Sequence, residues 1–267
     1  IFIFVFDMGV AGAAIATVIG QFFSFLMAIR YLKKFKNIQL KREHFHLNLS
    51  DSLAIASLGM SSSLNQVAIT LVQIVMNNSL TYYGGLSEYG KEIPLAACGI
   101  VMKTNAILLA IVIGISQGTQ PIIGFNYGAG KYGRVKKAYW LAIKCNLIIS
   151  TLGFCAFQFF PRQILALFGS GNAAYYEFAV RFMRIFLFMV IINGVQLISS
   201  NFFAAIGKPL KGLLLSMTRQ VIFLIPLLLI LPIFMGIDGI LFSGPVADFA
   251  AFVVTSIFIL HELKHMK

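Results

Sequence analysis

An all-α polytopic membrane protein that crosses the bilayer seven times is the fold class predicted by this sequence of 267 residues. Three observations carry the prediction. The chain is 59% hydrophobic and 11% charged, where a soluble domain carries about 25% charged residues. Its apolar residues gather into seven runs, each long enough to cross a hydrocarbon core that takes about 20 helical residues. Its basic residues crowd onto alternate connections between those runs. A mean hydropathy of +0.88 excludes a disordered chain. Three cysteines in a chain of this length exclude a disulfide scaffold. Alternating strands of about ten residues are missing, which excludes an outer-membrane barrel.

The first run, Ile1–Tyr31, opens inside apolar sequence with no basic region before it and does not read as a signal peptide. The second, Leu53–Leu80, carries polar residues at helical spacing. The third, Leu95–Gln117, is expected to stop where Gln117, Gln120 and Pro121 break the helix. The glycine-rich string Gly128, Gly130, Gly133 then opens a basic amphipathic stretch. That string has the spacing of a dinucleotide loop but follows an intramembrane helix rather than a strand, which excludes a dinucleotide-binding loop there. The fourth run is Tyr139–Phe160, and the Gly-Ser-Gly-Asn turn at 169–172 separates it from the fifth, Phe178–Ile206. A Gly-Lys-Pro turn at 207–209 precedes the sixth, Leu213–Met235, and the seventh is Gly239–Leu260. Pro226, Pro232 and Pro245 are expected to kink the last two helices and free backbone carbonyls.

Charge orients these spans. Fourteen basic residues lie on one side: Arg30, Lys33, Lys34, Lys36, Lys41, Arg42, Lys131, Arg134, Lys136, Lys137, Lys208, Lys211, Lys264 and Lys267. Only Lys91 and Arg162 lie in the loops of the other. The basic side is cytoplasmic, which puts the C-terminus inside and reads the net charge of +12 as topology, not as a nucleic-acid surface.

Ser62, Gln66, Thr70, Gln73 and Asn77 share one face of the second segment. In lipid that face lines a wet cavity or hydrogen-bonds to a neighbouring helix. Asn193, Gln196 and Ser200 share a face of the fifth, and the third adds Lys103 and Asn105. An intramembrane Lys is a functional candidate unless it snorkels to the interface. Asp7, Asp238 and Asp248 are the carboxylates within or bordering spans, and Asp248, two to three turns into the last helix, is the ion-coupling candidate. No acid dyad, Ser–His pair or metal trio falls within the spans, so no catalytic set and no metal site is expected. His44 and His46 alternate in a basic loop, and His261 and His265 are one helical turn apart without a third ligand. Cys98, Cys145 and Cys155 read as small packing residues.

The strings Gly-Val-Ala-Gly from Gly9 and Gly-Ile-Asp-Gly from Gly236 repeat at an offset of 227 residues, as in transporters built from repeats. Together with SQGTQPIIGFNYGAGKYGRVKKA (116–138), VMNNSLTYYGG (75–85), GAAIATVIGQ (12–21), FFAAIGKP (202–209) and GIDGILFSGPVADF (236–249), the chain resembles the multidrug and toxic compound extrusion (MATE) family. The resemblance implies helices 6–12 of a twelve-helix, two-lobe antiporter. Residues 1–48 would hold the last helix of the N-terminal lobe and a basic cytoplasmic inter-lobe loop, and residues 49–267 the C-terminal six-helix lobe. It also implies export of small cationic, amphiphilic compounds by antiport with Na⁺ or H⁺, by alternating access, without a further cofactor. The partners it implies are the lipid bilayer of the cytoplasmic membrane and the N-terminal lobe of the same protein, and the start at Ile1 reads as a cut near the sixth helix. Where some family members carry a coupling Glu, this chain has Ser61–Ser63, and a family Asp falls on Asn193. A lipid-linked precursor flippase and a non-transporting fragment are the alternatives. The flippase would want several basic residues in its cavity, for which Lys103 and Arg219 are the available groups.

Overall fold

The computed structural model describes residue 2 and residues 8–33, 49–169 and 171–266. Among them there is helix and no strand. Asp7, His44, His46 and the basic stretch 34–48 lie outside the described residues. The chain divides into two compact units, Ile1–Ile55 and Ala56–Lys267.

In the first unit α1 runs Gly9–Lys33. Val18, Phe22, Phe23, Phe25 and Met27 are all more than half exposed, so large apolar side chains cover most of the helix surface. Such a surface belongs in lipid or against another protein face.

The second unit contains most of α2 (Leu49–Gly85), then α3 (Glu92–Gly128), α4 (Tyr132–Phe159), the short α5 (Pro161–Ala166), α6 (Ala173–Phe186) and α7 (Val190–Ala205). A continuous helical rod follows, made of α8 (Pro209–Met217), a π-helical stretch (Thr218–Leu224) and α9 (Ile225–Met235), and α10 (Ile237–His265) closes the unit. Five helices among the described residues are long and apolar enough to span a membrane, and the α6–α7 pair makes a sixth if it counts as one span. The remaining predicted span falls on α2, part of whose side chains lie outside the description.

Three local features of the helices go beyond or against the sequence reading. α3 does not stop at Gln117–Pro121 but continues through Pro121 to Gly128. One proline removes one donor, and a helix packed against neighbours tolerates that. α3 ends instead in a Schellman turn, with Lys131 N–H bonded to Asn126 O, Gly130 N–H to Tyr127 O, and Gly130 at φ +69°. The fifth segment is not straight: α6 and α7 meet at 51° across Leu187–Met189. Pro226 does not break the rod, because the turns before it widen into the π-helix and accommodate its ring and its missing N–H.

Two apolar clusters hold the unit together. One joins Val72, Met76 and Leu80 of α2 to Val101 of α3, Phe178, Phe182 and Phe186 of α6, Leu228 of α9 and Leu241 of α10. The other joins Val112 and Ile123 of α3, Tyr139 of α4, Phe202 of α7, Leu215 of α8 and Ile259 of α10. Along α3, α7 and α10 the first cluster takes one end and the second the other. Asn193 and Asp248 fall at the seam.

Candidate functional site

A cavity of about 310 Å³ opens at that seam. α7 supplies one wall with Asn193, Gln196, Leu197, Ser200 and Asn201, which recur every three to four residues and so share a face. The rod supplies Ser216, Arg219 and Gln220, α2 gives Asn65 and Ile69, and α3 gives Leu109 and Ile113. Most polar groups on the walls bind other helices. Gln196 Nε2 donates to Leu215 O at 2.6 Å, and Ser200 Oγ to Gly212 O at 2.6 Å. Asn201 Nδ2 donates to Ser116 Oγ at 2.8 Å, and Ser216 Oγ to Asn65 Oδ1 at 2.5 Å. These bonds fix α7 against α8 and α3, and α8 against α2.

The charged centre is Asp248 on α10. Its side chain is 4% exposed, and Arg219 Nε donates to its Oδ1 at 2.5 Å. Asn193 Nδ2 lies 3.4 Å from both carboxylate oxygens. Arg219 stands in the π-helical stretch, whose wider turn shifts the register of the rod there. Its guanidinium has one edge on Asp248 and also lines the cavity. The resemblance to the MATE family put the loss of a carboxylate at Asn193. The structure sets Asp248 directly across from that amide, so an acid from a different helix stands at this point.

Beside it, Asn146 of α4 is fully buried against Gly194. Its Oδ1 accepts from Ser150 Oγ at 3.2 Å, and a Cβ added at Gly194 would stand 2.0 Å from that oxygen. The α4–α7 approach depends on glycine here.

Of the residues singled out in the sequence, Asn193, Gln196 and Ser200 line the cavity and Asp248 lies behind Arg219. Gln66, Thr70, Gln73 and Asn77 do not line it. They occupy the exposed face of α2, opposite the buried Ala68, Val72, Met76 and Leu80. The side chain of Ser62 lies outside the described residues. Lys103 is exposed on α3 and is not on the cavity wall, and Asn105 is buried within α3 away from it. Sequence reasoning missed the pairing of Arg219 with Asp248. The available signal was two opposite charges in consecutive apolar spans, each costly alone.

At the far end of the unit Lys208 and Lys211 both bind Glu262, with Lys211 Nζ 2.8 Å from Oε2. The hydrogen bond to Glu262 holds the Lys208 ammonium above the ordinary lysine range, against the burial that lowers it. This clasp ties the Gly-Lys-Pro turn to the end of α10. His265 also bonds locally, its Nδ1 lying 2.7 Å from the His261 carbonyl. Asp238 sits in the first turn of α10 and pairs with Arg181 at 2.7 Å.

The MatE family model matches residues 62–230. The multidrug export protein MepA of Staphylococcus aureus is 25% identical over 253 residues, 93% of this chain and 53% of its own length. A FAD transporter of Shewanella oneidensis is 25% identical over 244 residues, 90% of this chain and 51% of its own. The chain therefore spans about half the length of the curated relatives it matches. Two solved structures share the fold at 20% identity and TM-score 0.83, each over 99% of this chain. One is a MOP superfamily transporter of Pyrococcus furiosus, of which 59% is covered. The other is an outward-facing multidrug resistance MATE family transporter, of which 58% is covered.

Proposed function

The chain belongs to the MatE family, whose members are transporters and not enzymes, and from that premise we propose that it forms the C-terminal lobe of a proton-driven exporter of small organic cations. In this reading it sits in the cytoplasmic membrane with its C-terminus inside, residues 1–48 belong to the N-terminal lobe and its linker, and the two lobes alternate access about a midplane site. The observation that carries the reading is the buried carboxylate of Asp248, paired with Arg219 behind the wall of the cavity. The charge split of the loops supports the orientation.

Asp248 is the ion-coupling group. Its nearest polar neighbours are nitrogen donors, Arg219 Nε and the Asn193 amide. Hard cations want oxygen ligands, so this environment accepts a proton rather than Na⁺. Protonating one carboxylate oxygen removes the negative partner of Arg219. The uncompensated guanidinium then faces the cavity and repels a cationic ligand. Deprotonation restores the pair and the neutral cavity. Binding of a proton and binding of a cation thereby exclude each other, as antiport requires.

The test is efflux of a fluorescent cationic dye from cells expressing the full-length gene. Asp248→Asn at normal expression is expected to abolish efflux driven by a pH gradient. Unchanged, pH-dependent efflux would remove Asp248 from the mechanism.

A second reading has an anionic, nucleotide-like substrate. Arg219 is the charged residue on the described cavity wall, no acid lines that wall, and one relative is named a FAD transporter. Under this reading the dye is not exported, and cells expressing the gene release a flavin nucleotide instead.

A further inference from the structure

We propose that the groove between α5 and α6 binds the phosphate of an anionic phospholipid headgroup. This groove of about 680 Å³ is separate from the cavity above, and its lining includes Phe159, Arg162, Tyr176, Arg181, Arg184 and Ile185. α5 connects α4 to α6 and lies at the end of the lobe opposite the basic loops, so the groove opens at headgroup depth. There three arginines meet on the side that the chain otherwise keeps nearly free of positive charge.

The arginines are set out by folding. Phe178, Phe182 and Phe186 anchor one face of α6 in the core, which leaves Glu177, Arg181 and Arg184 on the other. Arg181 is committed to Asp238 at 2.7 Å. Arg184 is held by a reciprocal pair: its Nε donates to Gln158 O at 3.1 Å, and Gln158 Nε2 donates to Arg184 O at 2.8 Å. Its two terminal nitrogens are left for a ligand. The Arg162 guanidinium lies over the Tyr176 ring, 5.4 Å from its centre. Among the described residues neither Arg162 nor Arg184 has a carboxylate within ion-pair distance. Glu177 lines the groove as well, and lies 3.4 Å from the Tyr89 hydroxyl that donates to it. Against it, the fixed guanidiniums of Arg162 and Arg184 leave the groove net positive.

A guanidinium offers paired donors that match the oxygens of a phosphate. The flanking surface fits acyl chains, because Phe159, Phe160 and Phe188 are each at least half exposed. A free phosphate would gain nothing from those rings, whereas a phospholipid uses both features.

The test uses the full-length gene product in nanodiscs containing a photoactivatable phosphatidylglycerol, with the phosphatidylcholine analogue as control. Phosphatidylglycerol is expected to label peptides within 159–185, and phosphatidylcholine is not. Each of Arg162→Gln and Arg184→Gln is expected to weaken phosphatidylglycerol retention, read by native mass spectrometry, about fivefold. Arg134→Gln, on the opposite side, is expected to leave it unchanged. Equal labelling by both lipids, labelling confined to other peptides, or displacement of the lipid by millimolar inorganic phosphate would overturn the proposal. The labelling pattern needs no variant, so it decides the matter even if a substitution prevents folding.

Discussion

A carboxylate that is 4% exposed inside an apolar helix must be neutral or paired, and Asp248 is paired. Arg219 supplies the charge and Asn193 a further donor. Such a pair is weak evidence of stability, since desolvation opposes attraction, but breaking it from one side leaves a bare buried charge. Arg219→Gln alone is therefore expected to destabilise the full-length protein by about 3–5 kcal/mol, and the double variant Arg219→Gln/Asp248→Asn by much less. Thermal unfolding of the purified proteins measures both. Additive losses would mean that the two side chains do not act as a unit. If the pair serves transport rather than folding, the double variant regains stability and stays inactive. Asn193 was legible as a polar residue on a cavity face, but its partner was not. The contact joins residues 55 apart in sequence, and only the packing of α7 against α10 brings them together.

At the scale of elements, helix contacts depend on a few residues that let backbones approach closely. The clearest is Gly194, whose absent side chain is replaced by the Asn146 amide of α4. Gly194→Ala forces that amide away and is expected to cost about 1–3 kcal/mol, the usual penalty for overpacking. Asn146→Ala in the same background should recover part of it, as measured by denaturation midpoint. No recovery would place the strain elsewhere. The helices themselves were legible because each carries an apolar run bounded by Gly, Pro or charge. Their irregularities were less so. Pro121 reads as a breaker, yet α3 passes through it, because tertiary contacts on both sides of the proline outweigh one lost hydrogen bond. The break at Leu187–Met189 and the π-helix at Thr218–Leu224 have no breaker residue inside them. The break follows from packing, with no local pattern to announce it, whereas the π-helix lies just before Pro226, whose ring crowds the turn it covers.

Between the charged ends of the second unit, two polar regions stand out among apolar surroundings. One polar region is the seam between the apolar clusters, where Asp248, Arg219 and Asn193 meet. The other is the exposed stripe Gln66, Thr70, Gln73 and Asn77 on α2. Leu152 and Ile148 of α4 are exposed as well, at 67% and 63%, and their chemistry suits lipid tails. The stripe's does not, because amides facing hydrocarbon lose their hydrogen bonds. Its face must meet water or another protein surface, which in the two-lobe reading is the central passage. Thiol labelling separates these cases, because a maleimide reacts with thiolate and thiolate forms in water. In the full-length protein with Cys98, Cys145 and Cys155 replaced by alanine, Gln73→Cys is expected to react readily with a charged, membrane-impermeant maleimide, while Leu152→Cys stays protected. A transported cation added beforehand is expected to slow the labelling of Gln73→Cys. Protection of both cysteines would mean that the stripe is hydrogen-bonded to another helix and excluded from water, and the passage would then have to be lined by other helices.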